Sequence, residues 1–417
     1  MMKYFGGSLL LLIFFSFLGC QKVISTYKRP LLEHRVIKSQ SGKNTNEVEY
    51  PYKLKSLQPQ FRPDPKSLEA GLWMSVEKAE NRTKTAGNRI NNLALNQYLE
   101  EIVCRLVKDF CQDIRVYVIR LPVFNASMYP NGMMHIWSGL LLRVQNEAQL
   151  AAVLGHEIGH YLRRHSLQRF EKIRDTSNVL TFAQIGLAVA GIGQFRDLVT
   201  LGALASLSSY SRDHEREADG FGLLFMAKAG YDPGEASNIW KRLVEEGKSD
   251  PGYKRPPIFQ ATHPQSTERM KVLEMLASQI RKELSKNFEN GRERYENIVL
   301  PMRAQFLRDE LRLRKFKRSK ILIDMLIKDG SNVGELYYFK GELYRARNEK
   351  KDPQEALRWY KKSIDEGFFL DRIFRSMALV HRKLGNTEEA ILALKEYIRL
   401  NPAAEDIELI KSLIERL

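Results

Sequence analysis

Long apolar runs are scarce in this chain of 417 residues. The stretch 9–18 and the two apolar halves of 179–209 each fall short of the roughly 20 residues that a membrane-spanning helix needs. The first suits the apolar part of a signal peptide over 1–19. The second reads as core helices, with a loop dipping into a membrane surface as the alternative. Cysteines number three, Cys20, Cys104 and Cys111, which leaves room for one internal bridge at most. No nucleic-acid motif accompanies the formal net charge of +16, so nucleic acid is not expected as a partner. An anionic membrane or envelope surface accounts for the charge better, and a set of solvated lysine-rich faces accounts for it equally well. Disorder over the whole chain is excluded by 43% hydrophobic and 10% aromatic residues, enough for substantial cores. The length implies two or three domains.

What the chain does have is Gly155-His156-Glu157-Ile158-Gly159-His160. With only eight histidines, a chance H-E-x-x-H should occur in fewer than about 2% of such chains. Residues i and i+4 share a helix face, so His156 and His160 can turn both imidazoles to one ion. Two neutral imidazoles on one face are half of a zinc site, and Glu157 beside them can take a proton from an attacking water. Asn146 followed three residues later by Gln149 reads as a capping box. Leu150, Val153, Leu154, Ile158, Tyr161 and Leu162 then keep helical spacing, which predicts one helix to about Phe170.

A zinc hydrolase needs a third protein ligand and an open position. The candidate lies in Asp213-His214-Glu215-Arg216-Glu217-Ala218-Asp219, ahead of an apolar helical run closed by Gly230 and Pro233. Glu215 and Asp219 are one turn apart on one face, so Glu215 can bind the metal while Asp219 accepts an N–H from a ligating imidazole. Glu217 points elsewhere around the helix and is the weaker candidate. His214, one residue off the face, is an alternative ligand.

The sequence H-E-I-G-H followed by E-R-E-A-D resembles the HtpX-like and CAAX-prenyl-protease family of gluzincin zinc metallopeptidases. So do Phe124-Asn125-Ala126, Pro130-Asn131-Gly132, Ser138-Gly139-Leu140-Leu141, the run 146–154, and Ala261-Thr262-His263-Pro264 with Arg269 after it. The resemblance covers about 66–285 and departs from many relatives at Met128-Tyr129 and Met133-Met134. It implies one zinc per chain held by His156, His160 and Glu215, with Glu157 as catalytic base and Asp219 orienting a ligand or donating a proton. His263 is implied to approach the metal, either as an oxyanion donor or as a latch on the fourth position. Protein or peptide substrates are implied, laid along an edge strand beside the metal, for which 133–136 is the candidate.

The rest of the chain reads in order. Phe17-Leu18-Gly19-Cys20 resembles a bacterial lipobox, which would anchor the protein to a membrane through lipidated Cys20. Gln21 stands where an aspartate resembles an inner-membrane retention signal, so the expected place is the periplasmic side of the envelope, on the outer membrane. Residues 20–65, with five prolines, read as a tether. Helices are predicted over about 66–85 and 96–108, and strands over 114–121 and 132–137. Cys104 and Cys111 can pair only if the helix ends between them. Asp232-Pro233 predicts a helix start, and the prolines of 248–260 a loop.

Ala356 and Ala390 are 34 residues apart, each in a helix-opening motif, and this resembles tetratricopeptide repeats. A degenerate earlier unit is expected over about 300–330, and a capping helix over 404–417. The concave face would bind a peptide or an envelope-protein partner. The expected architecture is therefore mainly α: a metallopeptidase domain over 66–290, helical with a small β-sheet, then a helical repeat array over 291–417. Its branch most resembled is the periplasmic BepA type, which implies an envelope endopeptidase acting on misfolded or misassembled proteins. The rival is a chaperone-like assembly scaffold on a dead protease fold; the presence of all three ligands and Glu157 speaks against it.

Overall fold

The structure is a computed structural model and describes residues 57–176, 210–247, 263 and 267–417. The signal peptide, Cys20, most of the tether, the 179–209 stretch and the 248–260 loop lie outside the described residues. No helix among the described residues is long and apolar enough to cross a membrane.

The N-terminal half opens with α1 (Leu68–Thr85), capped by Ser67, and α2 (Leu93–Leu106), capped by Asn92. The α2 helix ends at Leu106 and a 3-10 turn over Lys108–Asp113 brings the chain back. Cys104 and Cys111 are therefore 4.6 Å apart at Cα and disulfide-bonded. The strands β1 (Arg115–Ile119), β2 (Ala126–Met128) and β3 (Met133–Trp137) follow. Their order is β1-β3-β2, with β3 parallel to β1 and antiparallel to β2. The strand expected to be an open edge, 133–136, is thus the centre of the sheet, paired on both sides. The edge that meets the H-E-x-x-H helix is β2, whose Met128 amide donates to Glu157 and whose three residues are too short to read from alternation.

After the single turn α3 (Ser138–Leu141) comes the buried helix α4 (Glu147–Leu162), in which every side chain is buried. Asn146 caps it by accepting from the Gln149 amide at 2.8 Å. The Gln149 side chain reaches back one residue further than a capping box requires, to the Gln145 amide at 2.9 Å. The helix does not run on to Phe170. It stops at Leu162, Arg164 takes a left-handed φ of 54°, and α5 (His165–Thr176) begins in a new direction. The break is held by Arg163, a buried cation whose Nε donates to Glu217 at 2.6 Å, a partner that periodicity does not reveal.

Helix α6 (Arg212–Lys228), capped by Ser211, packs against α4 at backbone range. A Cβ on Gly159 would meet the Ala218 Cα at 3.0 Å, and one on Gly222 the His156 backbone nitrogen at 3.0 Å. Neither backbone atom can give way, so glycine at these two crossings sets how close the ligand-bearing faces come. Then comes α7 (Glu235–Gly247). It starts later than Asp232-Pro233 suggests, because the Asp232 carboxylate is spent on a turn, accepting from the Gly234 amide and from Arg281.

Helix α8 (Thr267–Leu284) leads to α9 (Arg292–Arg312) and α10 (Phe316–Asp329), a helix pair. Two more pairs follow, α11 (Val333–Arg347) with α12 (Asp352–Asp365) and α13 (Asp371–Leu384) with α14 (Thr387–Leu400), before α15 (Ile407–Glu415). Ala356 and Ala390 are both fully buried in the second helix of their pairs. The chain is mainly helical with a three-stranded sheet. One apolar core runs from α2 and the sheet through α4 and α6 into the helix pairs, where Leu322, Phe339 and Tyr360 belong to it.

Candidate metal centre

The α4–α6 crossing turns the two motif histidines toward one carboxylate. His156 Nε2 and His160 Nε2 are 3.1 Å apart. Glu215 lies 3.6 Å from the first through Oε2 and 3.4 Å from the second through Oε1. His263 joins them, its Nδ1 at 3.1 Å from His156 Nε2 and 3.0 Å from Glu215 Oε1. These four residues are buried and offer ligand atoms all within 4.8 Å of one another.

Each group has a stated orientation. His156 Nδ1 faces Asp219 Oδ1 at 2.9 Å, closer than the Arg269 Nη2 at 3.3 Å; a carboxylate can only accept, so the proton sits on Nδ1 and Nε2 presents a lone pair inward. Arg269 clamps Asp219 with two bonds of 2.6 Å and reaches Glu215 Oε2 at 2.7 Å. Glu157 accepts from the Met128 amide through Oε2 at 3.1 Å, while its Oε1 lies 3.4 Å from His263 Nε2. The Tyr210 ring stacks on His160 at 3.9 Å.

Burial wins for Glu157 and His160, and neighbouring charges win for Glu215 and His263. It pushes the Glu157 carboxyl above its usual range, although His263 and His156 pull the other way. Burial would also raise Glu215, yet His263 and Arg269 hold it well below the ordinary carboxylate value. Burial would lower His263, but the Glu215 and Glu157 carboxylates raise it. His160 is held well below the usual imidazole value by burial. The donor set suits a divalent cation such as zinc: two imidazole nitrogens and a carboxylate in a buried pocket, their inward atoms 3.1 to 3.6 Å apart. Arg269 answers the carboxylate, but two inward imidazole lone pairs facing each other at 3.1 Å are costly to bury without a cation between them.

The candidates Glu157, Asp219 and His263 thus meet the candidates His156, His160 and Glu215 in one place. His214 lies outside the four; it stacks on His165 at 4.2 Å and faces Gln168 at 3.2 Å. Glu217 faces away toward Arg163 and His165. Motif reading misses the Met128 amide, His165 and Tyr210. Backbone groups carry no sequence signal, and the two rings come from beyond the motif's spacing.

Fold and centre together describe a buried His/Glu site able to hold a divalent metal ion. The family model of Peptidase family M48 matches residues 91–277, which include all of these residues. The chain is 33% identical over 174 residues to mitochondrial metalloendopeptidase OMA1 of Schizosaccharomyces pombe, covering 41% of this chain and 49% of the relative. It is 36% identical over 161 residues to the protein of the same name in Arabidopsis thaliana, covering 38% and 30%. It is 27% identical over 201 residues to the beta-barrel assembly-enhancing protease of Escherichia coli (strain K12), covering 46% and 41%. The matched stretch spans half or less of each relative's length. These matches support a metallopeptidase.

Proposed function

We propose that the protein is a zinc endopeptidase of the bacterial cell envelope that degrades misfolded or misassembled envelope proteins. The observation that carries this reading is the convergence of His156, His160 and Glu215, 3.1 to 3.6 Å apart, with Glu157 alongside. The name of the Escherichia coli relative supports the envelope setting.

Zinc, when held by His156, His160 and Glu215, supplies Lewis acidity toward a carbonyl oxygen or water. Everything else falls to the chain. Glu157, fixed through one oxygen by the Met128 amide, takes the proton of the attacking water with the other and passes it to the leaving amine. Asp219 and Arg269 hold His156 in one tautomer and one orientation. The β2 edge, joined to Glu157 through Met128, offers an extended peptide a backbone to pair with. His263, with Nδ1 3.1 Å from His156 Nε2, stands as a fourth group beside the three ligands, and we read it as a latch that withdraws when substrate arrives. On the helix pairs, a groove of about 1050 Å³ lined by Arg308, Arg345, Arg372 and Tyr338 is read as the surface for a protein partner, in keeping with a tetratricopeptide-like array. Lipidation of Cys20 would hold the protein at the outer membrane; a Cys20→Ser variant that stays in the membrane fraction would sink that assignment.

Metal analysis is the first test. Purified protein should hold one zinc per chain, and His156→Ala or Glu215→Ala should lose it. Full zinc in Glu215→Ala would overturn the ligand assignment, and unimpaired cleavage of an unfolded protein by zinc-free enzyme would overturn the function. A scaffold that only binds would hold the metal and cleave nothing.

A further inference from the structure

His160 is oriented by groups that the H-E-x-x-H motif does not contain. Its Nδ1 lies 2.8 Å from Nδ1 of His165, a residue buried completely. His165 Nε2 lies 2.9 Å from Glu217 Oε2, and the other oxygen of Glu217 accepts from Arg163 at 2.6 Å. Position i+5 on a continuous helix would stand about 140° around the axis from His160, out of reach. The break at Arg164, with its left-handed φ, is what returns the His165 ring to His160.

The protons in this chain can be placed by elimination. Glu217, paired with Arg163, is an acceptor only, so a neutral His165 carries its proton on Nε2. Its Nδ1 is then bare and accepts, which puts the His160 proton on Nδ1. That leaves the lone pair of His160 on Nε2, facing His156 Nε2 and Glu215. The Tyr210 ring, stacked on His160 at 3.9 Å and held by its hydroxyl 3.0 Å from Ser166 Oγ, fixes the plane of the imidazole.

We propose that Glu217 and His165 form a positioning relay for His160, the counterpart of the direct contact between Asp219 and His156. Neither residue touches substrate; both act through the ligand by fixing its tautomer. The two motif histidines are therefore oriented by two carboxylates of the same helix α6, Asp219 on one side and Glu217 on the other, each neutralised by its own arginine, Arg269 or Arg163. This gives Glu217, the weaker ligand candidate, a role distinct from ligation. The proposal rests on the metal reading of the site.

The test is zinc affinity by chelator competition together with imidazole nitrogen NMR. His165→Phe keeps a ring against His214 but offers no acceptor, and should weaken zinc binding about 10–100-fold. His165→Asn places a carbonyl oxygen near the lost Nδ1 and should recover most of that affinity. In the zinc-free wild-type protein, His160 should carry its proton on Nδ1, a readout that needs no variant to fold. A proton found on Nε2, affinity unchanged in folded His165→Phe, or an Asn variant no better than Phe would each overturn the relay. Wild-type protein that binds no zinc would instead overturn the metal reading, while the NMR result still decides the relay.

Discussion

Glu157→Gln lowers cleavage of an unfolded protein by about 10²–10⁴-fold, the range for losing a general acid–base group, and leaves the zinc content unchanged. The amide is close to isosteric and can still accept from the Met128 amide through its oxygen, so the 3.1 Å contact that seats residue 157 survives. What disappears is a group that can hold a proton in transit. Glu157 contributes no atom to the group of four potential ligands, so nothing in the change should release metal. A fluorogenic unfolded substrate and metal analysis on the same preparation read both halves. Loss of zinc would mean that Glu157 is a ligand, and retained activity would mean that another group is the base. His263→Ala gives the contrast. As a latch residue its removal should raise basal cleavage, whereas a fall to the Glu157→Gln level would make it a catalytic donor.

Much of the centre is legible in the sequence because it is helical. His156, Glu157 and His160 share a helix and a spacing; Glu215 and Asp219 share another. The 3.6-residue period alone therefore says which side chains lie together. The crossing that joins the two helices is legible only in retrospect, through Gly159 and Gly222, since a small residue on a buried face has many explanations. The sheet is harder. Alternation locates a strand over 114–121, and a second short strand is read over 132–137, but which strand is central depends on the third partner, and Ala126–Met128 is too short to announce itself. The end of α4 is missed because Leu162 and Leu167 continue an apolar pattern across a break that a buried ion pair imposes, and ion pairs between distant segments have no period. Arg143 shows the same limit: a lone arginine between apolar residues looks like a loop cation until Glu246 and Glu310 arrive from α7 and α9.

Arg143→Met destabilises the protein by about 3–5 kcal/mol, the range for removing one partner from a buried charge cluster. Arg143 is 3% exposed and Glu310 fully buried. The guanidinium donates to Glu246 at 2.7 and 2.8 Å, to Glu310 at 3.0 Å and to the Gly139 carbonyl at 3.1 Å, so it ties α3, α7 and α9 together. Methionine fills most of the volume, which makes the loss electrostatic and not a cavity. The two carboxylates then keep Arg318, which reaches Glu310 at 2.9 Å and Glu246 at 3.5 Å and is itself partly exposed, while Glu310 also keeps the Ser319 hydroxyl at 3.0 Å. Burial alone would raise the Glu310 carboxyl, but Arg143 and Arg318 hold it below its ordinary value. A depressed carboxylate stabilises the fold above its unfolded pKa and loses that contribution as pH falls through the folded value. The gap between wild type and Arg143→Met should therefore be full at neutral pH and narrow below the ordinary glutamate range. Adding Glu310→Gln to the variant should recover part of the loss, because it removes the stranded charge, and a double-mutant cycle in urea measures how much. A cost under about 1 kcal/mol at neutral pH, against the 3–5 expected for a buried cluster, would mean that water or Arg318 compensates both carboxylates. The helix pairs would then be held to the N-terminal half by apolar packing and by the remaining ion pairs, Arg120 with Asp309, Arg294 with Glu147 and Arg242 with Asp329.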